Sequence, residues 1–106
     1  MDMKRCQTED RGDYQVVVLS GEVDLSWSQQ VRREVLDALK LSDNVAVDLS
    51  AVSYIDSSGI AALVEGFQQA RGKGQRFVLL SASQPVMAVL KLARLDKVFH
   101  LVDSLD

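Results

Sequence analysis

The chain has 106 residues, enough for one compact domain and too few for two, so a single domain is expected over residues 1–106 with its core at about 14–102. Hydrophobic residues make up 47% and charged residues 25%, a globular composition that excludes a disordered tail and a membrane-embedded chain. The net charge is -3 and the 12 basic residues are scattered, so there is no basic face for a phosphate backbone and no nucleic-acid partner is expected.

One cysteine, Cys6, and one histidine, His100, exclude an internal disulfide and a Cys/His zinc site, and no metal or other cofactor is expected. A reducing, cytoplasmic location is expected from the lone cysteine and from a start, Met-Asp-Met-Lys-Arg-Cys, that lacks a secretory apolar core. No apolar run approaches the ~20 residues of a membrane span.

Tyr14-Gln15-Val16-Val17-Val18-Leu19 is aromatic and β-branched and follows the turn-like Asp10-Arg11-Gly12-Asp13, which predicts a strand ending at Gly21. Residues 3–7 are a short candidate strand that would pair with it as a hairpin. Ser26 and Gln29 have the spacing of a capping box. Trp27, Val31, Val35 and Leu39 then recur every four residues with Leu36 beside them, predicting an amphipathic helix to about Lys40. After the turn Ser42-Asp43-Asn44, Val45-Ala46-Val47-Asp48-Leu49 reads as a buried strand.

Ile55-Asp56-Ser57-Ser58-Gly59 leads into Ile60, Leu63, Val64, Phe67 and Ala70 at helical spacing, and Gly72-Lys73-Gly74 is the stop. Arg76-Phe77-Val78-Leu79-Leu80 is a third buried strand, and Ser83-Gln84-Pro85 opens a helix with Val86, Val89, Leu90 and Ala93 on its inner face. Val98-Phe99-His100-Leu101-Val102 is a last strand. Strands alternating with helices in this way predict right-handed parallel crossovers behind an antiparallel hairpin. The expected fold class is an α/β sandwich with a mixed, mostly parallel sheet of about four to five strands and about three to four helices.

Ser57 and Ser58, between Asp56 and Gly59, put a hydroxyl at a helix N-terminus. Unpaired N–H groups and aligned peptide dipoles stabilise an anion there by ~0.3–1 kcal/mol, which suits a phosphoserine. Asp56 or Ser57 also reads as an ordinary N-cap and Gly59 as a close contact, and capping and phosphorylation are compatible. No catalytic residue is assigned. Ile55 and Asp56 stand where a nucleophile elbow needs glycine, and the only base, His100, reads as a strand residue with a satisfied ring. Gly72-Lys73-Gly74 closes a helix where a phosphate loop would open one. Glu22 and Asp24, in the loop before the first helix, lack a third ligand for magnesium. Trp27 reads as a core or half-buried residue of the first helix.

Gly21-Glu22-Val23-Asp24 precedes the first helix, Val47-Asp48-Leu49-Ser50 lies in the middle strand, and Ile55-Asp56-Ser57-Ser58-Gly59-Ile60 opens the second helix. In the order and spacing of these motifs the chain resembles STAS domains from about Tyr14 to Val102, and among them the single-domain anti-sigma factor antagonists of bacteria. The resemblance implies a phosphorylated binding switch and no enzyme. Ser57, with Ser58 as runner-up, would be phosphorylated by a GHKL-type serine kinase that is also the anti-sigma factor, and a serine phosphatase would reverse the step. Asp24, Asp56, Ser57, Ser58, Gly59 and Ile60 would form the partner-binding site. By partner switching, the unphosphorylated protein would bind the kinase, displace its sigma factor and so regulate transcription. The same fold also serves as a small adaptor subunit of ABC-type lipid transporters, docked on the ATPase, and the motifs leave that alternative open.

Overall fold

The structure, a computed structural model, describes residues 6–105. The strand Cys6–Arg11 (β1) pairs antiparallel with Tyr14–Val23 (β2), with Cys6 opposite Leu19 and Arg11 opposite Tyr14. The turn needs only Gly12 and Asp13, because Gly12 takes a φ of +60° that costs glycine nothing. Asp10 and Arg11, expected in the turn, therefore extend β1, while residues 3–5 of the expected strand lie outside the described residues.

The chain continues as a helix Leu25–Leu41 (α1), a strand Asn44–Ile55 (β3), a helix Ser57–Gly72 (α2), a strand Arg76–Leu80 (β4), a helix Gln84–Leu92 (α3) and a strand His100–Val102 (β5). The five strands form one sheet in the order β1-β2-β3-β4-β5, parallel from β2 onward. Each crossover steps one place in the same direction, so right-handed connections put all the helices on one face. Strand alternation then sorts the core. Val17, Leu19, Val45, Val47, Leu49 and Leu79 face the helices, whereas Val16, Ala46, Val78 and Leu80 form a second cluster on the other face with Tyr14, Val18, Val102 and Leu105. Burial on both faces is why these strands read as unbroken apolar runs. No helix among the described residues is long and apolar enough to cross a membrane.

Several boundaries differ from expectation: β2 runs past Gly21 to Val23, paired there with Ile55, and Asn44, expected in the turn, already pairs with Arg76 and begins β3. β3 runs on to Ile55, because it bulges twice against β2: the register steps from Val18/Asp48 to Ser20/Ala51 and from Gly21/Val52 to Glu22/Tyr54. Each bulge shifts the phase of the side chains, which hides the strand from a search for alternation. Val98 and Phe99 precede the last strand, since β4 offers partners only to His100, Leu101 and Val102. Phe99 is buried edge-on against Phe67 instead, with ring centroids 5.5 Å apart. Ala93, expected on the inner face of α3, is its exposed C-cap, because the helix ends at Leu92.

α1 and α2 pack side by side on the sheet, and Gly66 makes the approach possible. A Cβ there would lie 2.5 Å from Val35 Cγ1 and 3.2 Å from the Phe77 ring. Gly66→Ala should therefore lower stability by about 1–3 kcal/mol through overpacking. Gly72→Ala, where a Cβ meets nothing within 4 Å, should leave the urea midpoint unchanged or raise it slightly. Equal midpoints for the two variants would contradict this account of the helix pair.

Candidate functional site: two aspartate-capped helix starts

β2 and β3 end side by side, with Val23 opposite Ile55, and each is followed by an aspartate and a helix. Asp24 Oδ1 accepts from Ser26 N at 3.0 Å and Ser26 Oγ at 2.6 Å. Asp56 Oδ1 accepts from Ser58 N at 3.0 Å, Ser58 Oγ at 2.6 Å and Gly59 N at 3.1 Å. The backbone matches as well: φ and ψ are -118° and -169° at Asp24, and -109° and -173° at Asp56. The same Asp-x-Ser device thus opens both helices. Ser26 is not the cap of α1 and its expected box with Gln29 does not form, because α1 starts directly behind Asp24 and the Ser26 hydroxyl turns back to that carboxylate.

Gly59 locks the two starts together. A Cβ on it would lie 2.7 Å from Ile55 Cγ1, 2.9 Å from the Val23 carbonyl oxygen and 3.0 Å from Val23 Cγ1. The Asp56 N–H donates to that same Val23 carbonyl at 3.2 Å. The Ser58 hydroxyl holds the Asp56 carboxyl below the usual carboxylate range; desolvation pushes the other way, and the backbone N–H groups of Gly59, Ser58 and Leu25 add to the lowering. The N–H of Leu25 belongs to α1, so both helix starts address one carboxylate.

The two serines differ in freedom. Ser57, the first residue of α2, is exposed, and its hydroxyl makes no hydrogen bond among the described residues. Ser58 is half-buried and its hydroxyl is committed to Asp56. Gly59 and Ile60 are buried and shape the site from beneath. Ile60 also reaches the floor of an open apolar groove of about 640 Å³ between α2 and α3, which Ser57, Ala61, Val64, Val89 and Ala93 line.

Sequence reasoning missed Leu25. It is 74% exposed and holds the position in α1 that Ser57 holds in α2. Its signal was a leucine out of phase with the Trp27, Val31 and Val35 stripe. His100 is exposed, with no side-chain partner among the described residues, so it is no satisfied ring. Burial pushes the Cys6 thiol up to about 12, with Glu34 adding to the effect, which keeps it protonated at neutral pH. Among the described residues no group of His, Cys, Asp and Glu is placed to hold a metal ion.

The site is thus an exposed hydroxyl on one aspartate-capped helix start beside a second such start, carried by an α/β sandwich. The family model described as "Mlab, STAS domain" matches residues 6–103, and the chain belongs to the STAS-domain family. It is similar to the anti-sigma F factor antagonist of Paenibacillus polymyxa, 25% identical over 91 residues that cover 84% of this chain and 78% of that one. An anti-sigma factor antagonist from Mycobacterium paratuberculosis superposes with a TM-score of 0.83 at 28% identity, over 95% of this chain and 86% of that one. The Bacillus cell fate determinant SpoIIAA in its phosphorylated form shares the fold, with a TM-score of 0.72 at 20% identity over 93% of this chain and 92% of that one.

The Asp56 cap has a measurable weight. Asp56→Ala should cost about 0.5–2 kcal/mol by leaving the first N–H groups of α2 unpaired, and Asp56→Asn should cost less. Because the carboxyl titrates below its unfolded value, its charge stabilises the fold above the unfolded pKa of ~3.9, and that contribution is lost as pH falls through the lower folded value. The stability gap between the wild type and Asp56→Asn should therefore hold near pH 7 and close in acid. A gap that widens below pH ~4 would contradict this role.

Proposed function

We propose that the chain is an anti-sigma factor antagonist switched by phosphorylation of Ser57. The observation that carries this reading is the contrast between the free, exposed Ser57 hydroxyl and the Ser58 hydroxyl held by Asp56. In the proposed reaction the Ser57 oxygen attacks the γ-phosphorus of ATP bound to a GHKL-type serine kinase that is itself the anti-sigma factor. ADP leaves, the serine proton passes to a base of the kinase, and a serine phosphatase later returns the hydroxyl by hydrolysis. This chain supplies the acceptor oxygen and its placement, and catalysis belongs to the partners.

Unphosphorylated, the protein docks on the kinase through Ser57, the exposed Leu25 and the flanking helix starts, and displaces the sigma factor. The phosphate adds about -1.5 to -2 charge next to Asp56 and Asp24. Helix N–H groups stabilise it within the free protein, while a partner surface shaped for two carboxylates and a hydroxyl has to desolvate an additional dianion. Docking weakens with the fold intact. The relatives described as anti-sigma factor antagonists favour this reading over the transporter adaptor.

Incubation with the cognate kinase and ATP, followed by mapping of the phosphate, tests the acceptor. Ser57 should be modified, and Ser57→Asp should weaken kinase binding by about tenfold or more, equivalent to ~1.4 kcal/mol, while Ser57→Ala binds as the wild type does. Asp24→Asn keeps an N-cap and removes a charge, so it should alter docking with little change in thermal midpoint. Modification of Ser58 instead, equal binding by Ser57→Asp, or capture of a transporter ATPase by the unmodified protein would each overturn the proposal.

A further inference from the structure

The side of α2 that carries Ser57 continues into the open apolar groove shared with α3. Ile60, Ala61 and Val64 follow Ser57 at helical spacing along one wall, and Val89 and Ala93 line the other. On α2 the lining extends to Gln68, so the groove follows the helix for roughly three turns, about 16 Å. Glu65, also in the lining, commits its carboxylate to Arg32 of α1 at 2.7 Å, which leaves no unpaired charge among the lining residues. Leu92 adds to the apolar surface. It is 86% exposed, more than any other large hydrophobic residue described, and follows Val89 by three positions on the same side of α3. A single exposed leucine is ordinary, whereas one at the lip of an apolar groove enlarges a surface suited to a partner.

What covers the groove follows from the phosphoryl transfer proposed above, on which this inference rests. A kinase that delivers phosphate to the Ser57 oxygen has to cover Ser57, and Ser57 is itself part of the groove lining. A standard protein interface takes about 800 Å² from each partner, a patch roughly 30 Å across. Centred on Ser57, such a patch extends over the groove as well.

The walls are two helices, whose backbone groups bond within each helix and offer no edge to a strand. Recognition therefore falls to side chains, as when an amphipathic helix lays anchors at i, i+3 or i+4, and i+7 into an apolar groove. We infer that the groove receives an amphipathic helix of the anti-sigma factor kinase, laid along α2 from Ser57 with its apolar side chains against Val64, Val89 and Leu92. Apolar contact of this kind does not sense the phosphate. The groove supplies affinity, and the charge at Ser57 supplies the switch.

Ala61→Gln and Leu92→Gln test this at two exposed positions, each keeping a good helix former, the net charge and the acceptor serine. With the cognate kinase as the probe, each variant should bind about fivefold or more weakly and be phosphorylated with a raised KM and an unchanged kcat, the signature of lost uniform binding. The thermal midpoint should stay where it is. A wild type that the kinase does not modify at Ser57 would overturn the functional reading and this inference together. With Ser57 modified, wild-type affinity in either variant would overturn the groove's role alone. Self-association of the free protein that Leu92→Gln abolishes would overturn it too, because a second copy would then fill the groove.

Discussion

Where β3 ends, the Asp56 carboxylate accepts from the Ser58 hydroxyl and from the N–H groups of Ser58 and Gly59, while the Asp56 N–H donates to the last carbonyl of β2, at Val23. This junction ties two neighbouring strands to the first turn of α2, and it tolerates only glycine at position 59. The remaining geometry follows from it. With Asp56 and Ser58 occupied by the cap, Ser57 is left at the first helical position, pointing outward. The bulges in β3 serve the same end, since they re-aim the strand beyond the point where β4 stops at Leu80, opposite Asp48. Ser83 Oγ, which does not cap α3, donates to the Val52 carbonyl along that open edge.

A site built this way suits a switch that works by charge. Its backbone is held by hydrogen bonds between elements rather than by a mobile loop, so a modification at Ser57 meets a surface that has no need to refold. Asp24 repeats the Asp56 geometry one strand away, which makes it a structural cap as well as a charge near the proposed contact. Its two roles are separable because asparagine caps a helix about as well as aspartate does.

The strands were legible in the sequence wherever both faces are buried, as at Val16 to Leu19, Val45 to Leu49 and Phe77 to Leu80. The helices were legible in the Val31, Val35 and Leu39 stripe and in Ile60 and Leu63. Between Ser50 and Tyr54 the pattern failed, because bulges change the phase and the free edge removes the demand for apolar residues. Val98 and Phe99 looked like strand because they are apolar, but strand requires a partner, and β4 had none left to offer. At the site, the Asp-Ser-Ser-Gly run was visible from the start. The free serine was not, because that depends on which residue the aspartate captures, and aspartate and serine are nearly equal caps. Leu25 escaped for a related reason: its exposure follows from Asp24, not Ser26, being the cap of α1.

The claim that phosphate at Ser57 changes the charge of a fixed surface is tested most directly by amide hydrogen exchange and chemical shifts of the phosphorylated protein against the unmodified one. Shifts should be confined to residues 24–27 and 55–60, with the protection of β2, β3 and the body of α2 unchanged. Loss of protection along α2 or across the sheet would show that phosphorylation acts by unfolding the helix start, and would contradict the account.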